Sequence, residues 1–143
     1  MDIISPIRIA LRTAFRPWNR LRIRNCPRSA TEPSQRTLHA VFSLLCEYVE
    51  EQVVDHGTGK CGRDGLAERV AALAGKPGAE PSHRQELELL RLYDWYVGVD
   101  WSDPVPGWGY VNGMTWAEAY EQFDELTQKN LEAAVAQRQA WWT

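Results

Sequence analysis

An apolar stripe at helical spacing between Thr37 and Gly57 constrains the fold of this chain more than any other feature. On a wheel of 3.6 residues per turn, its apolar side chains fall on one side, opposite three glutamates. The apolar members are Leu38, Val41, Phe42, Leu45, Tyr48, Val49 and Val53, and the glutamates are Glu47, Glu50 and Glu51. The pattern predicts a central helix of about five turns with one buried face. We expect a hydroxyl of Ser34 or Thr37 to cap its start and Gly57 to end it.

Three further helices are predicted after this one. Residues 64–74 have a helix-forming composition and are followed by glycines and a proline that stop a helix. Ser82 is the expected cap of the next helix, with Gln85 three positions later. Thr115 and Glu118 form a capping-box pattern at the start of the last helix, in which we expect Trp116 and Tyr120 to be buried.

A chain of 143 residues has the common size of a single domain, and its apolar content of 44% is ample for a core. We therefore expect a mainly α fold, an antiparallel bundle of three long helices and one short one. The long helices are predicted at about 35–56, 83–99 and 115–140, and the short one at 64–74.

The beginning of the chain differs from the rest in charge. Residues 1–29 carry seven arginines and one acid, a local charge of +6, whereas residues 30–143 carry a charge of −9. Ser5-Pro6 predicts the start of a short basic helix, and the alternation of Arg and apolar residues at 20–24 predicts an extended segment. The chain is thus divided into a basic arm with its linker, 1–36, and a helical domain, 37–143.

The arm offers candidate contacts to a protein partner or to nucleic acid. Its candidate residues are Arg12, Arg16, Trp18, Arg20, Arg22 and Arg24. Docking of the arm on an acidic protein surface requires no further assumption. Three surfaces are candidates: the chain's own helical domain, another copy in a homo-oligomer, and a different protein partner. Phosphate contact, with Trp18 stacked on a base, is the alternative. Membrane-surface binding is the weakest interpretation because the apolar stripe of the arm is short.

A second candidate surface is aromatic and lies around the turn-rich stretch 100–114. Its members are Trp95, Trp101, Trp108, Tyr110 and Trp116. Aromatic side chains beside such a loop line a ligand pocket, form a protein-binding hot spot, or plug the open end of a small bundle. We favour the plug because tryptophan is usually mostly buried.

No residue pattern predicts catalysis, a metal site or a cofactor. His39 and Cys46 would lie about 10 Å apart along a helix, too far to share one zinc ion. Glu47 and Glu50 resemble the paired carboxylates of all-α magnesium-dependent hydrolases, but they oppose the apolar face. The loop from Gly57 contains Gly-Thr-Gly-Lys without the spacing of a phosphate-binding loop.

The three cysteines lack CxxC spacing, which favours a reducing compartment. The basic N-terminus does not have the pattern of a signal peptide, and no apolar run is long enough for a membrane span.

Three segments together resemble a known group of proteins. The stretch RPWNRLRIRN precedes TLHAVFSLLCEYVEEQ, and LELLRLYDWYV with DWSDP follows. These segments resemble small uncharacterised proteins of tailed bacteriophages, in which an "fSLLv-fvE" helix precedes an "LY-WW" helix and a DP turn. The resemblance covers roughly residues 15–110 and implies a phage origin and action in the bacterial host cytoplasm or in the virion, with no activity attached.

The leading hypothesis is therefore a non-enzymatic phage accessory protein that binds a protein of the host or the phage, such as a host or defence component. A nucleic-acid-binding protein that uses the basic arm is the second hypothesis. A small magnesium-dependent nucleotide hydrolase or a ligand-sequestering protein is the third.

Overall fold

The computed structural model describes residues 23–26, 32–105 and 113–138. Within these ranges the chain forms four helices, namely α1 (Pro33–Gln52), α2 (Gly62–Leu73), α3 (Glu80–Gly98) and α4 (Trp116–Ala136). The predicted mainly α fold of three long helices and one short helix is thus confirmed. The predicted basic N-terminal helix lies outside the described residues, as do Trp108 and Tyr110. None of the helices in the described ranges is long and apolar enough to cross a membrane.

Side-chain pairs show that neighbouring helices run in opposite directions. Arg63, near the start of α2, pairs with Asp94 near the end of α3 at 2.8 Å. Arg69, later in α2, pairs with Glu86 nearer the start of α3. Helices α3 and α4 are also antiparallel. Asn130 of α4 accepts a hydrogen bond from Arg91 of α3, and the end of α4 lies beside the start of α3.

The core is built around α1 and α3. Its buried members are Leu38, Phe42, Leu45, Cys46, Val49, Val53, Leu66, Leu89, Leu92, Tyr93, Tyr96 and Ala134. The rings of Phe42 and Tyr96 stack at its centre, with centroids 4.8 Å apart. Each fully buried large apolar side chain contributes about 1.5–3 kcal/mol of transfer free energy, so burial of the α1 stripe stabilises the fold substantially. A smaller cluster of Val105, Ala119 and Phe123 lies where α4 begins.

The end of α1 differs from the prediction. The helix ends at Gln52, because Val53 is buried in an extended conformation and Val54 forms an antiparallel bridge with Cys61. The loop is closed by a bond from the Asp55 N–H to the Lys60 carbonyl at 2.8 Å. Gly57 therefore lies in this hairpin-like loop and does not terminate the helix. Burial of Val53 and the loop's own hydrogen bonds outweigh the local tendency to continue the helix.

Two predicted helix starts are also wrong. Neither Ser34 nor Thr37 caps α1, which begins at Pro33 after Glu32, and the Thr37 hydroxyl donates to the Pro33 carbonyl inside the first turn. Ser82 lies within α3, which begins at Glu80. In both helices a proline occupies one of the first two positions, where its fixed φ and missing N–H suit a helix start, so no side-chain cap is used.

The predicted capping box of α4 is confirmed. The Thr115 N–H donates to the Glu118 carboxylate at 2.8 Å, and the Glu118 N–H donates to the Thr115 hydroxyl at 3.3 Å. The helix ends at Ala136, and positions 139–140 of the predicted range lie outside the described residues.

Candidate binding surfaces

Arg24, at the end of the basic arm, docks on two helices of its own chain. Its N–H donates to Ser43 Oγ at 2.7 Å, and its carbonyl accepts a hydrogen bond from Tyr96 OH at 3.1 Å. Its guanidinium pairs with Glu50 at 2.6 Å. Ser43 and Glu50 belong to α1 and Tyr96 to α3. We call this site the α1–α3 seam.

The pair of Arg24 and Glu50 is supported by a third side chain. Tyr93 OH donates to Glu50 Oε1 at 3.0 Å. Burial, together with the Glu50 carboxylate, raises the pKa of Tyr93 to about 12. Burial acts to lower the pKa of Arg24, but the hydrogen bond and charge of Glu50 outweigh it, and the pKa is raised overall. Both charged side chains remain partly exposed, so the ion pair itself contributes at most about 1 kcal/mol.

A buried polar chain lies beneath this pair. His39 Nδ1 lies 2.9 Å from Tyr96 OH, and the single hydroxyl proton of Tyr96 is already donated to the Arg24 carbonyl. Nδ1 of His39 therefore carries a proton, which it donates to the Tyr96 oxygen. Ser43 Oγ donates in turn to the His39 carbonyl at 2.5 Å.

His39, Cys46 and Tyr96, in or beside the seam, have the chemical types of catalytic groups, but burial favours the neutral form of each. Burial lowers the pKa of His39, and it raises the pKa of Cys46 to about 12 and that of Tyr96 to about 12. His39 and Ser43 are both buried, and the Ser43 hydroxyl bonds to the Arg24 N–H, to the His39 carbonyl and to Tyr96. The network therefore orders the structure and presents no activated nucleophile to solvent.

Two of the predicted aromatic residues close the bundle. Trp95 and Trp101 meet edge to face with centroids 5.7 Å apart, and both are partly buried. The rings of Trp101 and Phe123 of α4 also pack together, with centroids 6.1 Å apart. The Nε1–H of Trp101 donates to the Tyr96 carbonyl at 3.0 Å. These two tryptophans thus fill the space between α1, α3 and α4, in the manner of a plug.

Trp116 and Tyr120 behave differently, and the prediction that α4 buries them is wrong. Trp116 is 61% exposed and Tyr120 is 43% exposed, and their rings lie beside each other with centroids 6.3 Å apart. Helical side chains lean toward the helix N-terminus, so Trp116, the first residue of α4, extends past the residues on which it would pack. We call these two residues the α4 aromatic pair.

The exposed side of α4 is acidic. The helix carries five acids and one lysine, a net charge of −4. The acids are Glu118, Glu121, Asp124, Glu125 and Glu132, and all five are exposed. The α4 aromatic pair therefore lies on a helix with a strongly negative surface.

The remaining patterns do not assemble into a site. In the three described ranges, no group of three His, Cys, Asp or Glu side chains is arranged to hold a metal ion. Glu50, one of the paired carboxylates, is engaged by Arg24 and Tyr93. In the loop after α1, the Thr58 N–H donates to the Asp55 carboxylate at 2.8 Å, and Lys60 pairs with Glu68.

The α1–α3 seam was not predicted from the sequence. Its signal was present, because His39 and Ser43 are polar residues four positions apart beside the apolar stripe of α1. Only the fold, however, brings Arg24 and Tyr96 to them. Of the predicted arm residues, Arg24 is the one within the described ranges.

The fold and these surfaces define an all-α bundle closed by tryptophans, with an arginine of the arm docked on its body. Comparison of the chain with protein-family models, with curated proteins and with solved structures finds no match.

Proposed function

We propose that this is a non-enzymatic accessory protein of a tailed bacteriophage that binds a protein partner in the bacterial host cytoplasm. The observation that carries the proposal is the exposure of the α4 aromatic pair. Tryptophan and tyrosine are the residues that most often dominate the binding energy of protein interfaces. Exposed side by side, they form an apolar patch that a partner surface would cover.

The charge of α4 supports a basic partner. Acidic residues around an aromatic anchor favour encounter with a positively charged surface and disfavour nucleic acid. The partner of this proposal is therefore a basic protein of the host, such as a component of its defence, or a basic protein of the phage. The phage assignment is supported by the sequence resemblance of the two helices and the DP turn.

The test compares aromatic truncation with an equally exposed aliphatic control. Full-length protein, immobilised through a terminal tag, is incubated with lysate of bacterial hosts, and bound proteins are quantified by mass spectrometry. Trp116→Ala and Tyr120→Ala truncate the proposed surface, whereas Val97→Ala truncates a side chain on α3 that is 54% exposed.

We expect one basic protein to be captured by the wild type and by Val97→Ala, and to be lost with Trp116→Ala. With purified partner, the affinity should fall by about 2 kcal/mol, or roughly thirtyfold. Equal capture by wild type and Trp116→Ala would refute the proposal.

Nucleic-acid binding through the arm is the second candidate, and the local charge of +6 in residues 1–29 favours it. It has less support, because Arg24 is paired with Glu50 and the helical domain is acidic. The test is the affinity for single-stranded and double-stranded DNA and for RNA at low salt. Binding that weakens steeply with salt and is lost with Arg20→Ala/Arg22→Ala, but not with Arg84→Ala, would establish this function in place of the first.

A magnesium-dependent hydrolase or a ligand-sequestering protein remains the third candidate, with no specific observation in its favour. The carboxylate of Glu50, on which the hydrolase hypothesis relies, holds the Arg24 guanidinium. Nucleotide turnover that depends on Mg²⁺ and is lost with Glu47→Gln would overturn the non-enzymatic assignment.

A further inference from the structure

The α1–α3 seam recognises one arginine residue at three points. Side chains of the two helices bind its N–H, its carbonyl and its guanidinium, through Ser43, Tyr96 and Glu50 respectively. Segments that pack as part of a sheet are held by backbone-to-backbone bonds that ignore side-chain identity. Here the two backbone groups are bound by side chains, and a charge-assisted bond to a carboxylate selects the guanidinium. This is the chemistry of a peptide-binding site.

The residues next to Arg24 define which peptide would fit. Ile23 is 45% exposed, so its side chain contributes little apolar contact. Asn25 is also exposed, but its side chain hydrogen-bonds to Tyr96. Asn25 has a φ of 55°, in the left-handed region that glycine and asparagine adopt with little strain. The site therefore accepts a wide range of residues before the arginine. After it the site favours asparagine, and glycine next, because glycine keeps the backbone conformation but loses the bond to Tyr96.

The three recognising side chains are held by contacts that do not involve Arg24. Tyr96 stacks on Phe42, and the His39 N–H fixes its oxygen so that the hydroxyl proton points to the ligand carbonyl. Tyr93 donates to the Glu50 carboxylate. A site held in this way loses little conformational entropy when it binds, which is the main requirement for recognising a short peptide.

We propose that the α1–α3 seam is a binding site for an extended segment of a protein partner that contains arginine followed by glycine or asparagine, and that Arg24 occupies it as an internal competitor. The tether gives Arg24 a high effective concentration, so the intact protein binds such segments more weakly than a variant without the internal arginine. The site involves neither residue of the α4 aromatic pair, so it stands or fails independently of the function proposed above.

The test uses the full chain and a defined peptide. Arg24→Asp places a carboxylate against Glu50 and removes the guanidinium, and Arg24→Ala is a milder second variant. Arg84→Asp makes the same charge change on an exposed arginine of α3 as a matched control. The probe is fluorescein-labelled Ala-Ile-Arg-Asn-Ser, with an amidated C-terminus, followed by fluorescence anisotropy. Far-ultraviolet circular dichroism checks that each variant retains its helices.

We expect both Arg24 variants to bind the probe about tenfold more tightly than the wild type and Arg84→Asp. Replacing the probe arginine with citrulline, or adding Glu50→Gln to the Arg24 variants, should weaken binding by about tenfold. Replacing the probe asparagine with glycine should weaken binding less than replacing it with valine. Glycine loses only the side-chain bond to Tyr96, whereas a β-branched residue is also strained at positive φ. Trp116→Ala should bind the probe as the wild type does.

Three results would overturn the proposal. One is the absence of saturable binding to both Arg24 variants up to about 1 mM probe. Another is equal affinity for the arginine and citrulline probes. The third is a concentration-dependent dimer of the wild type, measured by light scattering, that disappears with Arg24→Asp, because that result would assign the seam to a second copy of this chain.

Discussion

Replacing Tyr96 with phenylalanine removes one oxygen atom from the centre of the α1–α3 seam and leaves the ring in place. The ring is fully buried and stacks on Phe42, and Tyr96→Phe preserves that contact. The hydroxyl accepts a hydrogen bond from His39 Nδ1 at 2.9 Å and donates one to the Arg24 carbonyl at 3.1 Å. The substitution therefore removes these two bonds, together with the hydroxyl's bonds to the side chains of Ser43 and Asn25, and leaves the ring contacts unchanged.

The magnitude follows from the burial of each partner. His39 is 3% exposed, and its N–H is left without this acceptor in the core, which costs about 1–3 kcal/mol. The Arg24 carbonyl is only partly buried, and loss of its bond costs about 0.5–1.5 kcal/mol. We expect the free energy of unfolding to fall by about 1.5–4.5 kcal/mol, a large share of the stability of a small domain.

The assay is urea unfolding at neutral pH, followed by circular dichroism at 222 nm and fitted to a two-state transition. Tyr120→Phe removes the same oxygen from an exposed tyrosine and should change the free energy of unfolding by less than about 0.5 kcal/mol. If Tyr96→Phe and Tyr120→Phe have the same small effect, the seam does not stabilise the fold and the reasoning fails.

Three further outcomes are expected. Because burial lowers the pKa of His39 below its ordinary 6.5, the unfolded chain binds a proton that the folded chain does not. The contribution of neutral His39 to the free energy of unfolding is fully present above pH 6.5 and is lost as the pH falls from there toward the pKa of the folded state. The urea midpoint should therefore drop between about pH 7.5 and pH 5.5. His39→Gln should flatten this pH dependence. Gly65→Ala places a Cβ 2.4 Å from the Lys60 carbonyl oxygen, so we expect a loss of about 1–3 kcal/mol in the same unfolding assay, and an unchanged midpoint would contradict the packing of this loop. Thr115→Ala removes the capping box with Glu118 and should cost about 1 kcal/mol, whereas Thr115→Ser should preserve most of it.

The fold was predictable to the extent that its signals are local. The stripe of α1 predicts a helix with the correct buried face, because the spacing of apolar residues depends only on helical geometry. The end of α1 was mispredicted because burial of Val53 and the pairing of Val54 with Cys61 are tertiary effects. Local preference for helix or turn is too weak to resist them.

The candidate surfaces were predictable to a smaller extent. The sequence indicates that Trp95, Trp101 and Trp116 lie near one another along the chain, but not which of them is exposed. Trp101 is held by contacts with α3 and α4, whereas Trp116 extends beyond the end of its helix. The exposure of each tryptophan depends on which other segments of the chain pack over it, and the local sequence pattern does not contain that information.

The sequence by itself determined the helical class, the register of the α1 stripe and the capping box of α4, because each of these depends on residues a few positions apart. Only the tertiary structure decided that Arg24 meets Ser43, Glu50 and Tyr96. Tyr96 lies 72 positions from Arg24, and contacts of that separation form when burial of the shared core brings α1 and α3 together. The arginine at the end of the basic arm thereby acquires a defined site on the acidic body, which its charge alone did not specify.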